Sequence, residues 1–327
     1  MRRRTACSAV VLLTAPPVVL AQGAERKARV GFLTPAPLDQ TWRRASVEPF
    51  RAGLRDLGYV EGQNLVLEIR SADGKNERLE SLMSELLQHK LDVLVTAFDP
   101  AALTAKKANR GLPVVAAGVD DPIATGLAAT LARPGGNITG ISGWAGELVA
   151  KRLQLLRELV PNARRVAILF NPDAVPRAGL QDGVAKWEST LRIPIRIYEA
   201  RRADDFEGAF VAMTREGVDG LVVLADGNTY LNRVRLNELC LQRRMPSVWG
   251  GRDWLTGGAL ASYQSDYPAI FRRAASLVDY ILKGQKPAEI PFEQATKLEL
   301  IVDKRAAKAL GITVPQALLL AANEVIE

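Results

Sequence analysis

The sequence is poor in the residues on which many catalytic and metal sites depend. It has one histidine, His89, and two cysteines among 327 residues. A Ser-His-Asp or Cys-His system would have to use His89, but the segment LLQHKLD favours a surface position at the end of a helix. No spacing of cysteines and histidines typical of zinc sites occurs. We therefore expect no catalytic residue, no metal and no cofactor.

Long hydrophobic runs are also missing, except near the N terminus. The segment MRRRTACSAVVLLTAPPVVLAQG combines three arginines, an apolar run, and small residues at Val19 and Ala21, where signal peptidase prefers them. A buried N-terminal strand is the alternative, but the two prolines and the arginines argue against it. We predict a signal peptide over residues 1–21 and a mature chain that starts at Gln22 in the periplasm.

Cleavage at that point would change the charge and the cysteine content. Loss of three arginines lowers the formal net charge from +7 to +4, and the remaining basic residues are scattered, which argues against nucleic-acid binding. Loss of Cys7 leaves Cys240 alone, which excludes an intrachain disulfide.

Strands and helices alternate along the rest of the chain, and the alternation restarts near residue 148. Apolar strands such as LDVLVTAFD, each followed by a helix of about three turns, predict an α/β fold with parallel sheets covered on both faces. The chain crosses between the two halves near NITGIS, GALASYQSD and ATKLELIVD. We predict lobe one over 28–141 plus 262–292, lobe two over 142–261 plus 293–327, and a three-strand hinge.

Candidate binding residues lie where the predicted strands end, because ligands of parallel α/β sheets bind beyond the carboxyl ends of the strands. These residues are polar or aromatic, and one follows the second crossing: Thr34, Phe98, Asp99, Asp120, Asn171, Asp226, Trp249 and Tyr263.

Structural roles are open for several of these candidates. Asp99 and Asn171 each precede a proline and could cap a helix, as Asp121 could in the pair Asp120–Asp121. Trp249 and Tyr263 could belong to the core.

Two other interpretations of the segment DDPIATGLAATLARPGGNITG are weaker. A metal site formed by Asp120 and Asp121 is one of them, but neighbouring aspartates at a strand end point apart, and no third metal ligand is evident. The glycine pair in RPGGN lacks the following lysine and serine or threonine of a phosphate loop, so it favours a turn.

Several segments together carry a family resemblance: FRAGLRDLGYVEGQNL, DDPIATGLAATLARPGGNITGIS, KRLQLLRELVP, RVAILFNPD and TKLELIVDKRAAKALGITVPQALLLAANEVIE. In this order they resemble a family of ABC-transporter substrate-binding proteins over nearly the whole mature chain. The resemblance implies the type I periplasmic-binding-protein fold, with two Rossmann-like lobes, and some members look like tryptophan or tyrosine binders. Asp120 stands where the family usually has glycine.

These observations predict a monomeric periplasmic receptor that closes around a small molecule and docks on an ABC permease in the inner membrane. An α-amino acid with an apolar or aromatic side chain is the expected ligand class: Asp120 or Asp226 would hold the ammonium, and helix N termini would suit the carboxylate. Phe98, Trp249 or Tyr263 would stack on the side chain. The alternatives are a sensor subunit for a membrane receptor and an enzyme that uses the strand-end carboxylates.

Overall fold

The structure is a computed structural model that describes residues 26–108, 111–143, 145–175 and 177–327. The predicted signal peptide and the predicted mature start at Gln22 lie outside the described residues. The strands are β1 (Ala28–Thr34), β2 (Leu65–Ser71), β3 (Val93–Ala97), β4 (Val114–Val119), β5 (Ile138–Ser142), β6 (Val166–Phe170), β7 (Ile195–Glu199), β8 (Gly220–Val223), β9 (Ser247–Trp249), β10 (Ala261–Ser265), β11 (Glu293–Gln294), β12 (Leu298–Asp303) and β13 (Glu324–Ile326).

The described strands form two sheets, one in each lobe. The first sheet has the order β11-β5-β4-β3-β1-β2, and all of its pairs are parallel. The second has the order β13-β12-β10-β9-β8-β6-β7, in which only β10 and β12 pair antiparallel. The central strands β3, β4, β6 and β8 are buried along their whole length, as their continuous apolar sequences predict.

Helices cover both faces of each sheet. They are α1 (Gln40–Trp42), α2 (Glu48–Asp56), α3 (Leu79–Gln88), α4 (Phe98–Ala108), α5 (Ala145–Leu159), α6 (Arg177–Leu191), α7 (Asp205–Arg215), α8 (Gly227–Leu231), α9 (Arg233–Gln242), α10 (Tyr267–Leu282), α11 (Lys304–Leu310) and α12 (Gln316–Ala321). No helix in the described part of the chain is long and apolar enough to cross a membrane.

Helix α10 returns the chain to the first lobe after β10. The Asp266 carboxylate accepts a hydrogen bond from Ala269 N at 2.8 Å and so caps the helix, which has a proline in its first turn. Its apolar face, which includes Ile270 and Phe271, is buried against α2 and the first sheet. Local capping and the amphipathic pattern together explain why this segment forms a helix on the first lobe.

The chain crosses between the lobes three times: between β5 and α5, between β10 and α10, and between β11 and β12. These three crossings form the predicted hinge. Because the three segments lie side by side, they allow the lobes to rotate about them without unfolding either one.

Two short strands belong to a different sheet from the one that the predicted lobe limits imply. β10 pairs with β9 and β12, so residues 262–265 extend the second sheet. β11 pairs with β5, so Glu293–Gln294 extends the first sheet. The sequence does not show in which sheet such a strand pairs, because its alternating pattern is the same whichever strands lie next to it. The predicted lobe limits as a whole stay a prediction.

Candidate ligand-binding site

A cavity of about 110 Å³ lies between the two lobes, at the carboxyl ends of their central strands. The first lobe contributes Phe98 and Asp120, which follow β3 and β4. The second contributes Ala225 and Asp226, which follow β8, together with Trp254. The cavity therefore lies where parallel α/β sheets bind their ligands.

Direct contacts across the cleft show that the lobes are closed. Tyr230 of the second lobe donates a hydrogen bond from its hydroxyl to Asp39 Oδ2 of the first lobe, at 2.7 Å. A Cβ atom added to Gly227 would lie 2.7 Å from Gly74 Cα, so the two backbones meet where only glycine fits. Trp42 of the first lobe packs edge-on against Tyr230 and Trp254 of the second.

Two aspartates of the first lobe lie together on the cavity wall. Asp99 Oδ2 accepts a hydrogen bond from the backbone N–H of Asp120 at 2.9 Å. Asp99 Oδ1 is buried and has no hydrogen-bond partner among the described residues. The Asp120 side chain is open to the cavity and enclosed by protein on its other sides. The Asp120 carboxylate thus faces a space that a ligand could fill, while the unpaired Asp99 Oδ1 is buried next to it.

Burial controls the charge of this pair. It raises the pKa of Asp99 to about 6, against the effect of the hydrogen bond from Asp120. The surrounding protein, and then the charge of Asp99, raise the pKa of Asp120, while the Arg152 guanidinium acts in the opposite direction. Because the Asp120 side chain is exposed through the cavity, water offsets part of this effect. Burial also lowers the pKa of Arg152 and raises the pKa of Tyr267 to about 12. A ligand cation would stabilise the charged form of both carboxyl groups.

Asp226 lies on the opposite wall and caps α8. Its Oδ1 accepts hydrogen bonds from Asn228 N at 2.6 Å and Thr229 N at 3.1 Å, and Thr229 Oγ1 accepts one from Asp226 N. Its Oδ2 is buried without a hydrogen-bond partner in the described part of the chain. Burial raises the pKa of Asp226 to about 6, although the hydrogen bonds from Thr229 and Asn228 and the nearby Asn171 amide lower it.

Aromatic rings form the apolar part of the cavity wall: Trp42, Phe98, Trp254 and Tyr267. Phe98 packs edge-on against Trp42, with ring centroids 5.5 Å apart, and against Tyr267, at 5.3 Å. Phe98 has φ of 62°, a left-handed backbone that costs a bulky residue about 1–3 kcal/mol. Trp42 Nε1 is buried and has no hydrogen-bond partner among the described residues. The wall thus offers ring faces and one free N–H donor.

Four of the predicted site residues line the cavity, namely Phe98, Asp99, Asp120 and Asp226, and four do not. Thr34 Oγ1 accepts a hydrogen bond from Ala36 N, and Asn171 Oδ1 accepts one from Asp173 N. Trp249 is fully buried in the core of the second lobe, where its Nε1 donates to Ser247 Oγ at 2.7 Å. Tyr263 packs against the core of the same lobe. The ligand-binding roles of all eight residues stay predictions.

Sequence reasoning missed three aromatic residues of the wall. Trp42, Trp254 and Tyr267 do not follow a strand directly: they lie in α1, in a short 3-10 turn and at the start of α10. Tyr267 follows the predicted second crossing, which is the one signal that could have identified it. Trp42 and Trp254 come from opposite lobes and meet edge-on across the cleft, with ring centroids 5.9 Å apart.

A metal site is not evident in the part of the chain that the structure describes. Among those residues, no group of three or more His, Cys, Asp or Glu side chains could hold a metal ion. Cys240 is buried in the core of the second lobe, and burial raises the pKa of its thiol to about 12. It is therefore a packing residue rather than a reactive thiol.

Comparison with known proteins gives a consistent result. A profile of the family described as "ABC transporter substrate binding protein" matches residues 36–326. A curated relative, a tyrosine-binding protein of Clostridioides difficile (strain R20291), is 23% identical over 263 residues, which cover 80% of this chain and 75% of the relative.

Solved structures give the same fold. A conserved domain protein from Vibrio cholerae is 26% identical, with a TM-score of 0.84 over 92% of this chain and 100% of that one. An ABC domain from Streptococcus pneumonia in complex with L-Trp is 23% identical, with a TM-score of 0.82 and the same coverage of both chains. These likenesses confirm the predicted type I periplasmic-binding-protein fold with two α/β lobes.

Proposed function

The chain belongs to the ABC transporter substrate-binding protein family, and we propose that it is the periplasmic receptor of an ABC importer. In this proposal it closes its two lobes around a small ligand that carries an ammonium group and an apolar or aromatic body. It performs no chemistry on the ligand. Closure creates the surface that docks on a permease in the inner membrane, and opening there releases the ligand.

The observation that carries the proposal is the pair Asp99 and Asp120 on the cavity wall. Asp99 Oδ1 is a buried acceptor without a partner among the described residues, and an unpaired buried carboxylate oxygen is costly. An ammonium group donates up to three hydrogen bonds and carries the opposite charge. It would satisfy this oxygen and the neighbouring Asp120 carboxylate together.

The aromatic wall supports a flat or apolar ligand body. Trp42 and Phe98 from one lobe and Trp254 from the other enclose the same space, and rings of this kind pack well on aromatic or aliphatic groups. The relatives carry names that refer to tyrosine and to L-Trp. Aromatic amino acids and compounds of that size are therefore the first ligands to test.

Export and docking complete the proposal. The predicted signal peptide over residues 1–21 supports a periplasmic location, and the family supports a permease partner. Ligand shifts the population from open to closed lobes, because only the closed form offers contacts from both lobes. A monomer is sufficient, since the closed cavity is built from one chain.

Small-angle scattering with a thermal-shift screen tests this function. The probes are L-tyrosine, L-tryptophan, tyramine and D-arabinose, each at saturating concentration. We expect at least one of the three amine-bearing probes to reduce the radius of gyration and to raise the melting temperature, while the sugar does neither. Stabilisation follows from binding to the folded form alone. Compaction with D-arabinose but with no amine would contradict the proposal.

A further inference from the structure

Resting on the proposed function, we infer that the preferred ligand is a cationic amine whose carboxylate is absent or replaced by a neutral oxygen-bearing group. The juxtaposition that carries this inference is a cavity that three aspartates line, while no basic residue among the described ones lines it to pair with a carboxylate. An ordinary α-amino acid is then the weaker ligand, although its ammonium fits the same site.

The charges on the cavity wall all have one sign. Asp99, Asp120 and Asp226 line it, and no lysine, arginine or histidine of the described residues does. The charge of Arg152 acts on Asp120, but Arg152 is buried, does not line the cavity, and donates from Nε to the Tyr263 carbonyl at 2.8 Å. A ligand carboxylate would therefore meet like charges without an ion pair of its own.

Four backbone N–H groups near the strand ends are already in use. Asp226 Oδ1 binds the N–H groups of Asn228 and Thr229 at the start of α8. Asp120 N–H donates to Asp99 Oδ2, and Asp173 N–H donates to Asn171 Oδ1. The aspartates and Asn171 occupy the donors that usually bind an anion at such sites. The N termini of these helices thus have fewer free N–H donors for a ligand carboxylate than the sequence analysis predicted.

The other side-chain donors among the described lining residues are uncharged, and they belong to Trp42, Asn76, Trp254 and Tyr267. Trp42 Nε1 is buried without a partner among the described residues. An indole N–H can satisfy a hydroxyl or amide oxygen of a ligand, but it carries no charge to compensate a carboxylate taken out of water. The cavity therefore matches a ligand with a cationic group, a neutral oxygen and an apolar body.

Calorimetric titration at pH 7.5 tests this inference with two series matched in their side chains. One is L-tyrosine, L-tyrosinamide and tyramine, and the other is L-leucine, L-leucinamide and isoamylamine. In at least one series we expect the amide or the amine to bind about tenfold or more tightly than the amino acid, because like charges placed side by side are costly. Tighter binding of the amino acids would overturn the inference and leave the proposed function intact. Absence of binding by all six would contradict both.

Substitution of the aspartates shows whether they cause the preference. In Asp99→Asn/Asp120→Asn, we expect the preference for the carboxylate-free ligand to fall to about threefold or less, because like-charge repulsion is removed. Asp182→Asn removes an exposed carboxylate of α6 and should keep the parent preference. If the double variant does not fold, Asp120→Asn alone gives the same direction of change. A preference unchanged in a folded variant would overturn the inference.

Discussion

The two walls of the cleft use their aspartates differently. On the first lobe, Asp99 and Asp120 lie side by side. Turns rather than a helix follow β4, and Asp121 holds the first of them, since its Oδ1 accepts hydrogen bonds from Ile123 N and Ala124 N. On the second lobe, Asp226 is tied into the first turn of α8. The first wall therefore has carboxylate oxygens to offer, whereas the second has mainly one, Asp226 Oδ2.

This difference suggests a division of labour between the lobes. The first lobe would bind the ligand's charge while the cleft is open, and the second would add Trp254, Asp226 and the backbone of Gly227 when it closes. Affinity then has a charge contribution from one wall and a closure contribution from the other. Substitutions on the two walls should separate these contributions.

The largest effect is expected from Asp120→Asn on the first wall. Loss of a hydrogen bond to a charged group costs about 1.5–3 kcal/mol, which weakens binding of tyramine roughly 10- to 150-fold. Calorimetric titration measures the change, and Asp182→Asn, which removes an exposed carboxylate of the second lobe, controls for net charge. If the Asp120→Asn protein bound tyramine as tightly as the parent, the first wall would not contribute to affinity through its charge.

Gly227→Ala tests closure from the second wall. The new Cβ would lie 2.7 Å from Gly74 Cα, so the lobes cannot approach as closely, and overpacking of this kind costs about 1–3 kcal/mol. We expect about tenfold weaker binding and less compaction in small-angle scattering. Gly208→Ala in α7, where an added Cβ meets nothing within 4 Å, should behave like the parent. Full compaction of the Gly227→Ala protein would show that the lobes close elsewhere.

Tyr230→Phe removes the hydrogen bond between the lobes without changing the packing of the ring. Its hydroxyl donates to Asp39 Oδ2 only when the cleft is closed, so we expect a loss of about 1 kcal/mol, or roughly fivefold in affinity. The matched control is Tyr198→Phe, whose hydroxyl donates to Glu216 Oε2 within the second lobe at 3.0 Å. Equal effects of the two substitutions on affinity would argue against a contact specific to the closed form.

Asp226→Asn should have the smallest effect, and it should appear as a dependence of stability on pH. The pKa of Asp226 is raised to about 6, so the folded protein binds this proton more tightly than the unfolded chain and loses stability as the pH rises from about 4 through 6. Asparagine caps nearly as well and does not ionise.

We therefore expect the ligand-free Asp226→Asn protein to be about 1 kcal/mol more stable than the parent at pH 8 and nearly equal to it at pH 4. Hydration of the open cleft keeps the difference small. Chemical unfolding at the two pH values measures it. A larger gain at pH 4 than at pH 8 would contradict the assigned direction of the pKa shift.

The sequence predicted the two-lobe fold and four of the residues that line the cavity. Apolar strands followed by helices determine the parallel sheets, and this topology brings Phe98, Asp99 and Asp226 to the strand ends. A position at the end of a strand does not show whether the side chain faces the cleft or the core. Trp249 was therefore predicted as a binding residue, but it is buried in the core. Trp42 is held on the cavity wall by rings distant in sequence, such as Phe98 and Tyr230, and no local pattern encodes such contacts.

Electrostatic details were the least predictable part of the site. The sequence shows Asp120 next to Asp121, but it does not show that Asp99 approaches Asp120 from the neighbouring strand or that Asp226 occupies the first N–H groups of α8. Both facts depend on strand register and local capping together. They are the observations on which the inferred preference for a cation over a zwitterion rests.

Mass spectrometry of the small molecule released from the protein tests the central claim most directly. The protein is purified from its own cells without denaturation, and the ligand is released by unfolding and identified by accurate mass and fragmentation. We predict a compound with a protonatable amine, bound at about one per chain and lost from the Asp99→Asn/Asp120→Asn protein prepared in the same way. A released anion or neutral sugar, retained by that variant, would contradict the account.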